Sequence, residues 1–185
     1  MRFRLSMVFG LLGALILADT GRTDEEDPPS LDVVFIKNRT SQVDGSGLNV
    51  PTCVEMLSRR YRLTELEGFR DWTALERGGH WPQKLADQLE RWCKLKEVDV
   101  PPYVQLWTKD IAFVEGMAKD RWVMVGDYGG KTTRYKGRAM AASLVIHLDK
   151  HSACLLDPNW REPEWITRAD FEQRFGQWVF MFLTK

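Results

Sequence analysis

The chain has 185 residues, of which 44% are hydrophobic and 28% charged, and its 26 basic and 26 acidic residues cancel to a formal net charge of zero. This composition is typical of a globular protein, and it excludes a disordered chain, a collagen-like chain and a nucleic-acid binder held by bulk charge. At roughly 150 residues per domain the length favours one domain, and eight Trp and nine Phe supply the apolar area for a core.

The N-terminus has the pattern of a secretory signal peptide. Arg2 and Arg4 precede an apolar run from Leu5 to Ala18. The run is shorter than the roughly 20 residues that a membrane span needs, so we expect cleavage rather than an uncleaved anchor. We therefore expect a signal peptide over residues 1–18, a flexible segment over 19–30 and a folded domain over 31–185. Such a chain is expected to be secreted or periplasmic, and to meet a membrane only if the signal stays uncleaved.

Cysteine and metal-ligand patterns are sparse. Cys53, Cys93 and Cys154 are too few for a disulfide scaffold, although export would permit one bridge, for example between Cys53 and Cys93. The sequence contains no Cys-x-x-Cys pair, His-Glu-x-x-His helix or carboxylate ladder. It therefore predicts neither a metal site nor a cofactor.

The first part of the domain has helical patterns. A short β-branched run at Leu31–Ile36 leads into a strong turn at Asp44-Gly45-Ser46-Gly47. Apolar residues then repeat at helical spacing and predict a helix over 49–61, with Pro51 in its first turn. A second helix is predicted from Trp81-Pro82 onward. Its apolar stripe is expected to face the core and comprises Trp81, Leu85, Leu89 and Trp92.

The second part has the pattern of short strands. Helices are predicted at 109–117 and after Thr167, which with Asp170 resembles a capping box. Strands are predicted at 103–107, 122–126, 140–148, 152–156 and 178–183. This order predicts an α+β domain in which N-terminal helices pack on a C-terminal antiparallel β-sheet.

A polar turn, two helices and a final hairpin before Leu156-Asp157-Pro158-Asn159 form a recognisable order. Further strings fit it: Asn38-Arg39-Thr40, Gln42-Val43-Asp44-Gly45-Ser46-Gly47-Leu48, Val54-Glu55-Met56, Gly78-Gly79 before Trp81-Pro82-Gln83-Lys84, and His147-Leu148-Asp149. Together they resemble the papain-like cysteine peptidase superfamily, especially the secreted bacterial branch near the bacteriocin-processing, double-glycine peptidases. The resemblance covers about Leu31 to Lys185 and implies a papain-like fold.

In that superfamily a Gln and then a Cys lie at the start of the first long helix. A His lies on a later strand, and an Asp or Asn on the next strand orients it. A helix N-terminus lowers the pKa of a thiol and presents N–H groups to an oxyanion. The resemblance places Gln42 at the oxyanion amide, Asn49 at the nucleophile, Ala141 at the His, and Asp157 or Asn159 at the orienting position. Two of the three catalytic groups are therefore replaced.

A relocated site using Cys53 and His147 is the enzymatic alternative. A two-residue turn at Asp149-Lys150 would pair His147 with Ser152 and Asp157 with Ala142. This pairing would leave the imidazole about 17 Å along the strand from the position that Asp157 would orient. Cys53, one turn inside its helix, is more simply a buried apolar thiol.

Other polar residues are weaker candidates. Asp127 ends a strand beside Tyr128, where it would line a groove or simply form a turn. His80 and His151 are expected in solvated loops. A basic stretch is expected to be a solvated loop rather than an anion site, and it comprises Lys131, Arg134, Lys136 and Arg138.

Three hypotheses follow. The favoured one is an exported, catalytically inactive peptidase homologue that binds a peptide or protein segment in a cleft between helix and sheet, shaped by Trp81 and Trp122. The second is an active thiol peptidase or amidase using Cys53. The third is a secreted structural domain without a ligand, in which the cleft of Gln42, Asn49 and Asp157 has no role.

Overall fold

The computed structural model of the chain describes residues 29–41, 43–77, 81–128 and 140–184. The helices are α1 (Leu31–Val34), α2 (Asn49–Tyr61), α3 (Phe69–Thr73), α4 (Pro82–Lys96), α5 (Ile111–Ala118) and α6 (Arg168–Arg174), with a 3-10 turn at Thr64–Leu66. The strands are β1 (Tyr103–Trp107), β2 (Val123–Asp127), β3 (Ala141–Leu148), β4 (Ser152–Leu156), β5 (Glu164–Thr167) and β6 (Phe175–Phe182).

The six strands form one antiparallel sheet in the order β1-β6-β2-β3-β4-β5. Helices α2, α3 and α4 precede all the strands and pack on one face of this sheet. The predicted α+β class, with N-terminal helices on a C-terminal antiparallel sheet, is confirmed. No helix in the described part of the chain is both long and apolar enough to cross a membrane.

Two hydrophobic cores lie on opposite faces of the sheet, because alternate residues of a strand point to opposite sides. Met124 packs in the core that contains α2 and α4, whereas its neighbours Val123 and Val125 pack in the core that contains α5 and α6. The sheet is therefore covered on both faces, and the second helical layer was not part of the sequence prediction.

Helix α2 begins and ends as the sequence predicts. Pro51 lies in the first turn, where a missing N–H costs no intrahelical hydrogen bond. Val54 and Leu57 are completely buried on the inward face. The helix ends at Tyr61, and the next residue, Arg62, has a φ of 55°, the left-handed conformation common after a last helical turn.

Helix α4 follows the predicted apolar stripe with one exception. Leu85, Leu89 and Trp92 are buried, whereas Trp81 precedes the helix and is 53% exposed. The expectation that Trp81 faces the core is wrong. The first helical residue is Pro82, so Trp81 has an extended backbone and its side chain leaves the helical stripe.

Most remaining boundaries fall within two residues of the prediction, except that β6 begins three residues early. The predicted strands 103–107 and 152–156 match β1 and β4 residue for residue. The predicted capping residue Thr167 directly precedes α6 and caps it, since its side chain accepts the backbone N–H of Asp170. The β-branched run at Leu31–Ile36 contains the one-turn helix α1, and both α3 and β5 were missed.

The hairpin of β3 and β4 has a different register from the one expected. Val145 pairs with Leu155, a bulge follows, and His147 then pairs with Cys154. The expected pairing of His147 with Ser152 is wrong. Leu148, next to the turn, pairs with Ala153, so the register already differs at the turn, and the bulge beyond His147 shifts the later pairs again.

The connection between β3 and β4 is also longer than a two-residue turn. The Asp149 carboxylate accepts the backbone N–H groups of His151 and Ser152, each at 2.8 Å. These two hydrogen bonds hold the pKa of the Asp149 carboxyl below its usual range. The side chain of Asp149 thereby fixes the wider turn.

Asp127 ends β2 as expected, but it is only 2% exposed and does not line a groove. Arg174 donates to both carboxylate oxygens, at 3.0 and 2.8 Å. Ser143 Oγ donates to the same carboxylate at 3.0 Å, and Glu164 accepts a third guanidinium hydrogen bond at 2.8 Å. The buried pair ties β2 to the end of α6 and leaves the next residue, Tyr128, at the cleft described below.

Candidate functional site

A cleft of about 160 Å³ lies between the start of α2 and the sheet. Its floor and walls come from the turn before α2, the start of α4 and the strands β1, β2, β3 and β6. The residues that line it are Ser46, Gly47, Asn49, Val50, Trp81, Pro82, Trp107, Gly126, Tyr128, Met140, Ala141, Ala142, Gly176 and Trp178.

Two residues assigned to the site by resemblance lie on this cleft. Asn49 is the first residue of α2, and Ala141 is the first residue of β3. The start of α2 and the start of β3 therefore line the same cleft, although they are far apart in the sequence and no residue spacing indicates that they meet. The positions expected for the nucleophile and the imidazole carry a carboxamide and a methyl group.

A chain of hydrogen bonds links Asn49 to the other predicted residues. Asn38 Nδ2 donates to Asn49 Oδ1, and it also donates to Asn159 Oδ1 at 3.0 Å. Asn159 Nδ2 in turn donates to Asp157 Oδ1 at 2.8 Å. Asn49, Asn159 and Asp157 therefore belong to one polar cluster, which joins the start of α2 to the segment after β4.

Asn38 was missed as a site residue, although the string that contains it was noted. Its backbone N–H donates to the carbonyl of Pro158 at 2.7 Å, and its side-chain oxygen accepts from Thr52 Oγ1 at 3.4 Å. The side chain is therefore held from several sides. The partner Asn159 lies 121 residues away in the chain, so no local pattern could have indicated the contact.

Cys53 is completely buried one turn inside α2 and does not line the cleft. Its Sγ donates to the carbonyl oxygen of Ala142 at 3.4 Å. Burial raises the pKa of the thiol well above its ordinary value, and the negative charges of Asp157 and Asp127 raise it further. A thiol in this state is protonated at neutral pH and is a poor nucleophile.

The other histidine and cysteine candidates lie elsewhere. His147 Nε2 is 3.1 Å from Asp149 Oδ2, and the imidazole packs against the ring of Trp165 with centroids 5.3 Å apart. Cys53, Cys93 and Cys154 are all buried, and none of the three forms a disulfide.

Some predicted features fall outside the described residues. These are the signal peptide at 1–18, nearly all of the segment 19–30, Gln42, His80, and the basic residues Lys131, Arg134, Lys136 and Arg138. Within the described ranges, no group of three or more His, Cys, Asp or Glu side chains is placed to hold a metal ion.

The aromatic lining of the cleft differs from the expectation. Trp81 lines it as expected, but Trp122 does not; its ring lies 5.1 Å from the guanidinium carbon of Arg60. Trp107 and Trp178, which are paired across β1 and β6, line the cleft instead. The sequence placed both residues in strands, and only the pairing of those strands reveals their shared position.

Two glycines allow the strands under the cleft to approach closely. A Cβ built on Gly176 would lie 2.9 Å from the carbonyl carbon of Gly126, which is shorter than any ordinary contact. Both residues line the cleft, beside a register shift between β2 and β6. Glycine at these positions keeps this part of the cleft free of side chains.

Comparison with known proteins finds no matching family profile and no matching curated protein. Among solved structures, a Bacillus anthracis protein classified as a C39-like peptidase matches 53% of this chain and 57% of its own length, with 15% identity and a TM-score of 0.39. A periplasmic domain of the EpsAB fusion protein of the Vibrio vulnificus type II secretion system matches 58% of this chain and 48% of its own, with 10% identity and a TM-score of 0.34. Each match spans about half of the solved protein. At these TM-scores neither match carries an argument about family or activity.

Proposed function

We propose that this chain is an exported, papain-like fold protein without peptidase activity, which binds a peptide or protein segment in the cleft between α2 and the sheet. The proposal rests on one observation: Asn49 and Ala141 both line the same aromatic cleft. These are the two positions at which a peptidase of this type would hold its thiol and its imidazole.

The chemistry of the lining residues supports binding rather than catalysis. Among the described residues that line the cleft, none carries a thiol or an imidazole. The Asn49 side-chain oxygen already accepts a hydrogen bond from Asn38. Cys53, the thiol of the enzymatic alternative, is buried and bonded to the carbonyl of Ala142.

The exposed apolar side chains at the cleft support a peptide ligand. Trp81, Trp107 and Met140 are 53%, 58% and 51% exposed, although each is large and apolar. Clustered exposed apolar side chains around a concave site are typical of a binding surface. Extended peptide segments offer side chains that would remove this area from water.

The experiment is a peptide-display selection on the purified full-length protein, followed by affinity measurements on the selected peptides with two variants. Trp81→Ala removes an aromatic side chain from the cleft, and Trp165→Ala removes one that is also mostly exposed, at 64%, but lies on β5. We expect Trp81→Ala to weaken binding at least about tenfold, because buried aromatic contacts dominate interface energies. Trp165→Ala should leave the affinity unchanged. Failure to select any peptide, or an equal effect of both variants, would contradict the proposal.

A further inference from the structure

Two hydrogen-bonding groups at the cleft have no partner among the described residues. Trp178 is 1% exposed, and its indole Nε1–H has no acceptor within hydrogen-bond distance there. The hydroxyl oxygen of Ser46 is likewise buried and unpaired. Both residues line the cleft. Buried polar groups in native proteins are almost always hydrogen-bonded. Two such groups without a partner at a concave surface therefore point to a hydrogen-bonding ligand.

Trp92 provides a comparison within the same molecule. It is also buried, at 5% exposure, but its indole N–H donates to the carbonyl oxygen of Glu65 at 2.9 Å. Trp92 is outside the cleft, where the fold supplies an acceptor. Trp178 lies at the cleft, and the described residues supply none.

The backbone holds Ser46 in place, and the start of α2 adds further N–H donors at the cleft. Ser46 is held by its N–H, which donates to Asp44 Oδ1 at 3.0 Å, and by its carbonyl, which accepts from Ser41 N at 2.7 Å. Helix α2 begins at the same cleft, and its N-cap residue Leu48 has no side chain that can accept from the first turn. The first N–H groups of a helix have no partner inside the helix and attract an acceptor.

We propose that the cleft takes a neutral backbone carbonyl oxygen of a peptide, which accepts the indole N–H of Trp178 with Ser46 Oγ as a second donor. The neighbouring apolar side chain of the peptide packs against Trp81 and Trp107. This assignment rests on the proposed peptide-binding function and specifies the chemistry that the cleft recognises.

The charges around the cleft select a neutral acceptor over a carboxylate. An indole N–H is only a donor, so the partner must offer an oxygen. No Lys or Arg is among the described residues lining the cleft. A ligand carboxylate would therefore lose its hydration in the cleft without meeting a cationic side chain that compensates the cost.

The test uses the indole N–H signals of the ¹⁵N-labelled full-length protein in NMR titrations. The probes are the N-methylamide of 4-methylpentanoic acid and 4-methylpentanoic acid itself, which share the leucine-like apolar group and offer as their only oxygen acceptor a neutral amide carbonyl or a carboxylate. With the amide, we expect the Trp178 signal to move downfield and its exchange with water to slow, while the Trp92 signal stays fixed. The acid should bind at least about tenfold more weakly.

Two variants complete the design. Trp178→Phe identifies the signal and removes the donor, and it should weaken amide binding about tenfold. Because Trp178 also packs in the core, Ser46→Ala is the second variant; it should weaken amide binding severalfold without changing the unfolding midpoint.

The outcomes separate this inference from the proposed function. If the amide moves the signals of Trp81 and Trp107 but not that of Trp178, or if the acid binds equally well, the carbonyl assignment is overturned while peptide binding stands. If the amide moves no cleft signal, the assignment is overturned as well. The peptide selection, which samples longer ligands, then decides the proposed function on its own.

Discussion

The buried pair of Asp127 and Arg174 provides a sharp test of how the sheet holds the cleft. Its side chains are 2% and 5% exposed, and the nearest oxygen to nitrogen distance is 2.8 Å. Asp87 and Arg91 on α4 form a pair at 2.9 Å, but their side chains are 71% and 46% exposed. In both pairs the arginine also contacts a glutamate as a second acidic partner, so the two sites differ mainly in burial.

We expect Asp127→Asn to lower the free energy of unfolding by about 3 kcal/mol. The substitution removes the charge that compensates a buried guanidinium, a change that costs about 3–5 kcal/mol when no other partner remains. The lower figure applies because Glu164 still accepts from Arg174 at 2.8 Å. The amide also places N–H donors against the guanidinium, and Ser143 loses a charged acceptor. Asp87→Asn should cost about 0.5 kcal/mol or less, as is usual for an exposed pair.

The measurement is urea unfolding of the two variants and the parent chain, followed by fluorescence and circular dichroism. A double variant, Asp127→Leu with Arg174→Met, removes both charges and should recover most of the loss, because apolar residues of similar volume replace buried ion pairs well. Equal effects of Asp127→Asn and Asp87→Asn would refute the reasoning. So would a double variant less stable than Asp127→Asn.

Two further predictions concern the cleft and its surroundings. Burial, together with the charges of Asp157 and Asp127, raises the pKa of Cys53. We therefore expect a thiol-reactive peptide electrophile to label Cys53 slowly at neutral pH and rapidly only after denaturation, as measured by mass spectrometry with Cys53→Ala as the control. Fast, saturable labelling confined to Cys53 in the folded protein would instead support the thiol peptidase alternative. Gly176→Ala should destabilise the protein by about 1–3 kcal/mol in thermal unfolding, because its Cβ would lie 2.9 Å from the carbonyl carbon of Gly126. Gly116→Ala in α5 is the control: its Cβ would have nothing within 4 Å, so it should stabilise the protein by up to about 1 kcal/mol. A tolerated Gly176→Ala would contradict the close approach of the two strands.

Local patterns in the sequence predicted the elements that depend on local spacing. The i, i+3, i+7 repeat around Val54 predicted α2 with its exact bounds, and apolar runs predicted β1 and β4. Helix α3 was missed because it has five residues, too few to display a helical period. Strand β5 was missed because it has only four residues and lies at the edge of the sheet, where Trp165 is exposed.

The candidate site was predictable only where the resemblance supplied long-range information. Resemblance assigned Asn49 and Ala141 to one site, and both line the cleft. Asn38 and Trp178 were missed, because their contacts depend on how distant segments meet. The β3–β4 register was wrong at His147, because the connection is longer than the two-residue turn that was assumed, and Leu148 pairs with Ala153.

The hydrogen bonds of Asn38 bear on how the protein is made. Asn38-Arg39-Thr40 is an acceptor sequence for N-linked glycans, which are attached to the amide nitrogen of asparagine. That nitrogen donates to both Asn49 and Asn159 in the folded chain. A sugar added there during synthesis would take one of the two N–H groups and occupy the space between α2 and the segment after β4. In a glycosylating host, Thr40→Ala would abolish the acceptor sequence while keeping the asparagine. Because Thr40 is exposed, we expect the fold to tolerate this substitution.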